Sequence, residues 1–243
     1  MAYREYTPHP ALRNYIDAYW TTSTDQYTPV IHRIFPDSCT DIIFNKGAVI
    51  YDAGHQIRMD AGQSYLVGTM KTYRDILQSH GTSTIGIRFK PGGISAFYKL
   101  NLNEVTDLAV PYQDKQLYEL IYKDKNLIAS LNTYFLNKLP SSPLPFLSIL
   151  ADIQQAKGQI KVSELIDKHA MSERKLERLF KQHTGVSIVG MIRIERFTVA
   201  LHYIKANHDK HTLSEIACLS GYYDQAHLCN NVKSFTGLTP AQL

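Results

Sequence analysis

Two periodicities divide the chain. Before residue 140, short runs alternate apolar and polar positions with the two-residue repeat of a half-buried strand: "VIHRIF", "TDIIFN", "AVIYDAG", "SYLVGTM" and, most regular of all, "STIGIRFK". In that last run Ile85, Ile87 and Phe89 point one way and Gly86, Arg88 and Lys90 the other, which predicts one buried and one wet face. Pro, Asp, Asn and Gly separate the runs, so the pattern predicts a barrel or sandwich of short strands. A helix follows in "NLIASLNTYFLNKL". There Leu127, Ile128, Leu131, Tyr134, Phe135 and Lys138 trace a stripe at helical spacing, apolar except at its end, that fits either a twin copy in a dimer or the chain's own strands.

After residue 146 the pattern becomes helical throughout, in "FLSILADIQQA", "VSELIDKHA", "SERKLERLFKQH", "IVGMIRIERFTVALHYIKA", "LSEIACL" and "DQAHLCNNVKSF". Gly158, Gly185, Gly221 and Gly237 lie just beyond or between these segments, where a left-handed cap suits glycine. Between the two regimes "LPSSPLPF" sets prolines that cannot continue a helix. The expectation is a multidomain α+β chain. Residues 1–139 form a β-rich, barrel-like sensory domain with helices, 140–146 a linker, and 147–243 an all-α domain.

The helical part repeats itself. "VSEL" at Val162 returns as "LSEI" at Leu213, and "TGVS" at Thr184 returns as "TGLT" at Thr236, so a unit of helix, tight turn and helix occurs twice. Each second helix opens on a residue whose side chain can accept orphan amides, Ser172 in the first unit and Asp224 in the second, and Thr212 with Glu215 makes a capping box for the helix between. "IVGMIRIERFTVALHYIKAN" joins the units, with Ile188, Met191, Ile192, Phe197, Ala200, Leu201 and Ile204 on the inward side of a long helix.

In the first unit Leu176, Leu179 and Phe180 make the inward stripe. Arg174, Glu177, Arg178 and Lys181 then share the opposite face, with Lys175 beside it. A short capped helix with an exposed, mostly basic stripe, following another helix through a tight turn, suits major-groove docking, where Arg and Lys bond phosphates or the O6/N7 edge of guanine. A solvated face on an ordinary bundle helix would look the same; duplication favours the DNA reading. In the second unit the equivalent face is Ala226, Cys229, Asn230 and Lys233, with Gln225 at its start, so one basic residue stands where the first unit has three. Either Asn230 and Ala226 read A·T pairs, or this unit mainly supports the first.

Charge agrees with a polyanion partner without requiring one. The chain's formal net charge is +4, and the excess lies in the C-terminal part. With 44% apolar and 20% charged residues the composition is that of an ordinary folded chain, and no run has the length of a signal-peptide core or a bilayer span, so a cytoplasmic location is expected. Three cysteines without CxxC spacing indicate neither a disulfide framework nor a zinc finger. Asp37, Cys39 and Asp41 in "FPDSCTD", near His32, are the one cluster in which a metal site is conceivable, but their spacing is irregular for ligands and an alternating strand accounts for them better. His208 and His211 read as part of a hydrophilic loop, and "KPGG" at Lys90 as a turn. The tyrosines and Trp20 of the first half suit either a small-molecule pocket or simple strand packing. No HExxH, GxSxG, P-loop or GxGxxG pattern is present, so no cofactor and no catalysis are expected.

The helical half resembles the DNA-binding domain of the AraC/XylS family of bacterial transcription regulators. The resemblance rests on "SERKLERLFKQHTGVS", the joining helix, and "LSEIACLSGYYDQAHLCNNVKSFTGLTP" with Gly221, Tyr222, Asp224, Gln225, His227, Lys233, Gly237 and Pro240 in the family's signature positions. It departs where Asn230 stands for the family's usual arginine and Val232 for its phenylalanine. Through "YIDAYW", "FPDSCTDIIFN" and "GIRFKPGGISAFY" the first half is similar to a sensory domain of one branch of these regulators. The resemblance implies double-stranded DNA as partner, a small-molecule effector, a dimerising helix and contact with RNA polymerase. The rival expectation is a protein-interaction module whose helix-turn-helix domain no longer binds DNA specifically.

Overall fold

Strand β9 (Thr82–Phe89) organises the first half of the computed structural model, which describes residues 2–25, 27–54, 57–142, 144–206 and 211–243. It pairs antiparallel with β2 (Ile16–Thr24) on one side and β4 (Thr40–Asn45) on the other. The sheet continues outward through β1 (Ala2–Tyr6) beside β2, and through β7 (Ser64–Val67) and β10 (Ala109–Pro111) beside β4. A second sheet runs in the order β3 (Val30–Ile34), β8 (Arg74–Gln78), β5 (Ile50–Asp52), β6 (Arg58–Met59). Among the described residues the strands therefore form two sheets, which decides between the two alternatives of the sequence pattern against a closed barrel.

The alternation of β9 holds, but its wet face does not. Ile85, Ile87 and Phe89 pack under α1 (Lys115–Lys123) and α2 (Leu127–Leu136) in one core with Leu117, Leu131 and Phe135. Thr84, Gly86 and Arg88, on the other face, are covered by the second sheet, and Thr84 and Arg88 line a cavity of about 290 Å³. Gly86 is required there: a Cβ would lie 2.0 Å from the Trp20 ring that spans it. A one-residue alternation records direction only; whether the polar face meets water depends on a sheet paired elsewhere in the chain.

The helical stripe of α2 also finds its place. Leu131, Tyr134 and Phe135 are buried in the core of their own domain, so the stripe is spent within the chain. The "KPGG" segment is a turn, with Gly92 left-handed at φ +67° and pressed against Phe146, the first residue of the second half's first helix.

The second half is entirely helical among its described residues: α3 (Phe146–Gln155), α4 (Val162–His169), α5 (Glu173–Thr184), α6 (Ile188–Ala206), α7 (Leu213–Leu219) and α8 (Gln225–Thr236). His208 lies outside the described residues. One apolar core collects residues from all six helices, Ile149, Leu165, Leu176, Phe197, Ile216 and Leu228 among them. Helix α6 holds it together, because its buried positions Ile188, Met191, Ile192, Ile194, Phe197, Ala200 and Ile204 face more than one neighbour. Arg196 fastens it further, donating from Nε and Nη2 to the Gly158 carbonyl at 3.1 and 2.8 Å. No described helix is long and apolar enough to cross a membrane.

Candidate nucleic-acid interface

Helix α5 is shaped by its ends and one apolar stripe. The Ser172 hydroxyl accepts from Lys175 N at its start, Gly185 closes it at φ +78°, and Leu176 and Phe180 are fully buried while Leu179 is half-buried. Full burial of such side chains stabilises the fold by about 1.5–3 kcal/mol each. With that face fixed inward, Arg174, Lys175, Arg178 and Lys181 are exposed.

Glu177 behaves differently. It is half-buried: Oε2 accepts from Ile188 N at 3.2 Å, at the first turn of α6, and Oε1 lies 3.1 Å from Lys181 Nζ. A carboxylate suits the positive end of a helix, so Glu177 ties α5 to α6 behind it.

Helix α8 repeats the design. Asp224 accepts from His227 N at 2.7 Å, Gly237 closes the helix at φ +70°, and Gln225, Ala226, Asn230 and Lys233 are exposed. Cys229 is half-buried, and Gln225 Oε1 accepts from Ser214 on α7. The threonines of the two Thr-Gly endings match as well. Thr184 Oγ1 donates to the Phe180 carbonyl and Thr236 Oγ1 to the Val232 carbonyl, each at 2.7 Å. The capping box of Thr212 and Glu215 is formed on α7, and its hydrogen bonds hold the Glu215 carboxyl below the usual range. Asn231, the polar residue at the position of Leu179, is buried and accepts from the Tyr222 hydroxyl at 2.7 Å.

The first domain grips both α5 and α8 by their C-terminal carbonyls, a relationship that sequence reasoning missed. Thr69 and Thr72, in the segment between β7 and β8, donate to Thr184 O at 2.6 Å and Ser234 O at 3.0 Å. Thr106 donates to Gly185 O, and Arg33 to Thr236 O. Arg33 is itself held by two hydrogen bonds to Asp75, which raise the guanidinium and lower the carboxyl, and it lies 4.3 Å over the Tyr73 ring that packs on Gly237. These donors satisfy carbonyls that a helix end leaves without partners. No local signal marks such threonines in a sequence; they resemble any strand-end hydroxyl. Asn101 and Asn103, also from the first domain, line a groove beside Arg174, Arg178 and Lys181.

Among the described residues no three His, Cys, Asp or Glu side chains converge as a metal would require. Asp37, Cys39 and Asp41 instead share one end of the inter-sheet cavity with Arg88, and burial pushes the Cys39 thiol up.

Comparison with known proteins follows the same division. Residues 165–243 match a helix-turn-helix domain family, and residues 4–111 a domain of unknown function, DUF6597. An uncharacterized HTH-type transcriptional regulator of Haemophilus influenzae is 27% identical over 95 residues, which cover 39% of this chain. The matched part is 31% of that relative's length. A solved structure of ToxT from Vibrio cholerae superposes with a TM-score of 0.50 at 9% identity, over 88% of this chain and 96% of its own. The C-terminal domain of AraT, a response regulator from Geobacillus stearothermophilus, is 23% identical over 38% of this chain and 76% of its own, with a TM-score of 0.35. The ToxT likeness is one of fold.

Proposed function

Its C-terminal part being a helix-turn-helix domain of the AraC type, we propose that this chain is a DNA-binding transcription regulator whose helices α5 and α8 enter successive major-groove faces of one duplex. The observation that carries this reading is the pair of capped helices presenting exposed polar faces from a single apolar core. One polypeptide then supplies two reading heads about one helical turn of DNA apart, as dimers usually do.

Arg174, Arg178 and Lys181 bond phosphates or guanine edges, and Lys175 adds a phosphate contact. Glu177 acts through α6, holding the first head at its angle. In the second head Gln225 and Asn230 have the hydrogen-bonding pattern that suits adenine, Ala226 suits a thymine methyl, and Lys233 a phosphate. The N-terminal domain acts as the sensor, and its grip on both helix ends is the route by which an effector alters DNA binding. A homodimer and a contact with RNA polymerase belong to the same reading. The protein acts by binding and catalyses no reaction.

Selection from a random duplex library, followed by titration of the enriched site at several salt concentrations, tests this. Binding that falls steeply with salt, as release of counterions from several phosphates requires, is the expected result. Failure to enrich any sequence, with weak and salt-insensitive association, would leave the rival reading of a protein-interaction module.

A further inference from the structure

The cavity between the two sheets has walls of contrasting chemistry. Ile34, Ile43, Ile50, Met59, Val67 and Ile76 make most of its surface apolar, and the Trp20 indole covers part of the first sheet. Its volume of about 290 Å³ is near the lower limit of ordinary ligand sites, and about twice that of an engineered cavity that takes benzene. A molecule of one ring with a short side chain fits.

The polar end is short of donors and of positive charge. Asp41 is half-buried; its Oδ1 accepts from Trp20 Nε1 at 2.7 Å and lies 3.4 Å from Arg88 Nε, too poorly aligned for that nitrogen to count as bonded. Asp37 lies 3.9 Å from Arg88 Nη1. Arg74, the other guanidinium in the wall, is committed to Asp52 at 3.0 Å and to the Asp107 carbonyl. Two carboxylates thus share one cation, Arg88. Elsewhere in the lining, Gln78 is 9% exposed and its Oε1 has no partner, and the buried His32 Nε2 has none. An amide oxygen can only accept, so an occupant that satisfies Gln78 must bring a donor. Desolvation outweighs Arg88 at Asp41, pushing its carboxyl up to about 6, as expected where a carboxylate lacks enough positive charge nearby. A carboxylate ligand would add a third negative charge to this end.

We propose that the cavity is a receptor site for a small aromatic amine, its ammonium against Asp41 and Asp37, its ring beside Trp20, and a ring hydroxyl or second donor toward Gln78 or His32. A cation beside an indole gains further from the ring face. Gly68 and Met70 belong both to this lining and to the segment between β7 and β8 that reaches α5 and α8, so the occupant sits against the part of the chain that holds those helices. The inference deepens the sensory role given to the N-terminal domain and rests on that reading for its biological sense, not for its test.

Trp20 is the single tryptophan of the chain, so its emission reports occupancy directly. Tyramine and 2-phenylethylamine are titrated against the full protein beside 3-(4-hydroxyphenyl)propanoate and 3-phenylpropanoate, with circular dichroism confirming the fold of every variant. Saturable emission changes with the amines, at least about tenfold tighter than with the acids, are expected, a difference of about 1.4 kcal/mol. Asp41→Asn should weaken tyramine by about tenfold or more, and Ile43→Phe, which fills the void, should abolish the response without lowering thermal stability. Absence of a saturable response to both amines, or equal or tighter binding of the acids, overturns the proposal. So does an amine response unaffected by Ile43→Phe. DNA titrations without any amine are run separately, so loss of DNA binding alone counts against the proposed function, and loss of amine binding alone against this site.

Discussion

Thr69 Oγ1 donates to the carbonyl oxygen of Thr184 at 2.6 Å, and both residues are fully buried, one between strands of the first domain and the other in the last turn of α5. The bond closes a helix end with a group from another domain. Thr69→Val keeps the shape but removes the donor and leaves the carbonyl unpaired in a dry contact. A loss of about 1–3 kcal/mol is expected, read as a lower urea midpoint. Thr72→Val, at a more exposed contact with Ser234, should cost less. Equal small losses at both positions would show that the two domains do not share this bond in solution.

The two reading faces should contribute unequally to DNA affinity. Arg178→Ala removes a charged fork from a face with three further basic neighbours, whereas Asn230→Ala removes a neutral amide from a face whose one cation is Lys233. The arginine variant is expected to lose about 1–3 kcal/mol more in a binding titration, and Lys181→Ala to reduce the salt slope by about one. Equivalent losses for Arg178→Ala and Asn230→Ala would contradict a dominant first head.

Most of the helical half was readable because its signals are local. Caps at Ser172, Asp224 and Thr212, the Thr-Gly endings and the spacing of Leu176 and Phe180 all act within a few residues of where they are written. The sheet half was readable only in fragments. The "STIGIRFK" alternation gave the direction of Arg88 but not its surroundings, which depend on β3 and β8, drawn from residues 30–34 and 74–78. Arg88 therefore escaped notice as a partner of Asp41, although Asp37, Cys39 and Asp41 had stood out as a cluster. Glu177 was assigned to the reading face by helical spacing alone. Its bond to Ile188 N depends on how α6 leaves the turn, which spacing does not report.

Asn231 gives the clearest test of a departure from the repeat. It occupies the place of Leu179 and is buried, so it would destabilise the second unit if it had no partner, yet Tyr222 supplies one. Tyr222→Phe alone should cost about 1–3 kcal/mol by leaving the amide oxygen unpaired, while Tyr222→Phe with Asn231→Leu should recover most of that loss. The coupling between the two changes, taken from a double-mutant cycle of urea midpoints, should be at least about 0.5 kcal/mol. Additive losses would mean that the hydrogen bond contributes nothing.

Gly86 and Trp20 make a similar pair in the first domain. A methyl group at residue 86 would fall 2.0 Å from the indole, so Gly86→Ala must displace the ring from the sheet. Overpacking of this kind costs about 1–3 kcal/mol, and because Trp20 is the single tryptophan the displacement should also shift its emission. An unchanged emission spectrum with unchanged stability would show that the ring does not lie over residue 86.

His183 sets the expected pH dependence of the contact between domains. Its ring stacks on Phe146 with centroids 4.6 Å apart, Nδ1 is 3.0 Å from Ser95 Oγ, and burial lowers its pKa below the ordinary 6.5. Above that value the imidazole is neutral whether the chain is folded or not, and the contact contributes in full. As the pH falls through 6.5 toward the folded value, the unfolded chain takes the proton first, so stability declines across that window and then levels. His183→Gln removes the titration while keeping a polar group near Ser95. The difference in melting temperature between the parent protein and this variant should therefore shrink or reverse on going from about pH 7.5 to about pH 5. A difference that stays constant over that range would mean that His183 is not buried against Phe146, and that the first turn of α3 is not docked on the end of the first reading helix.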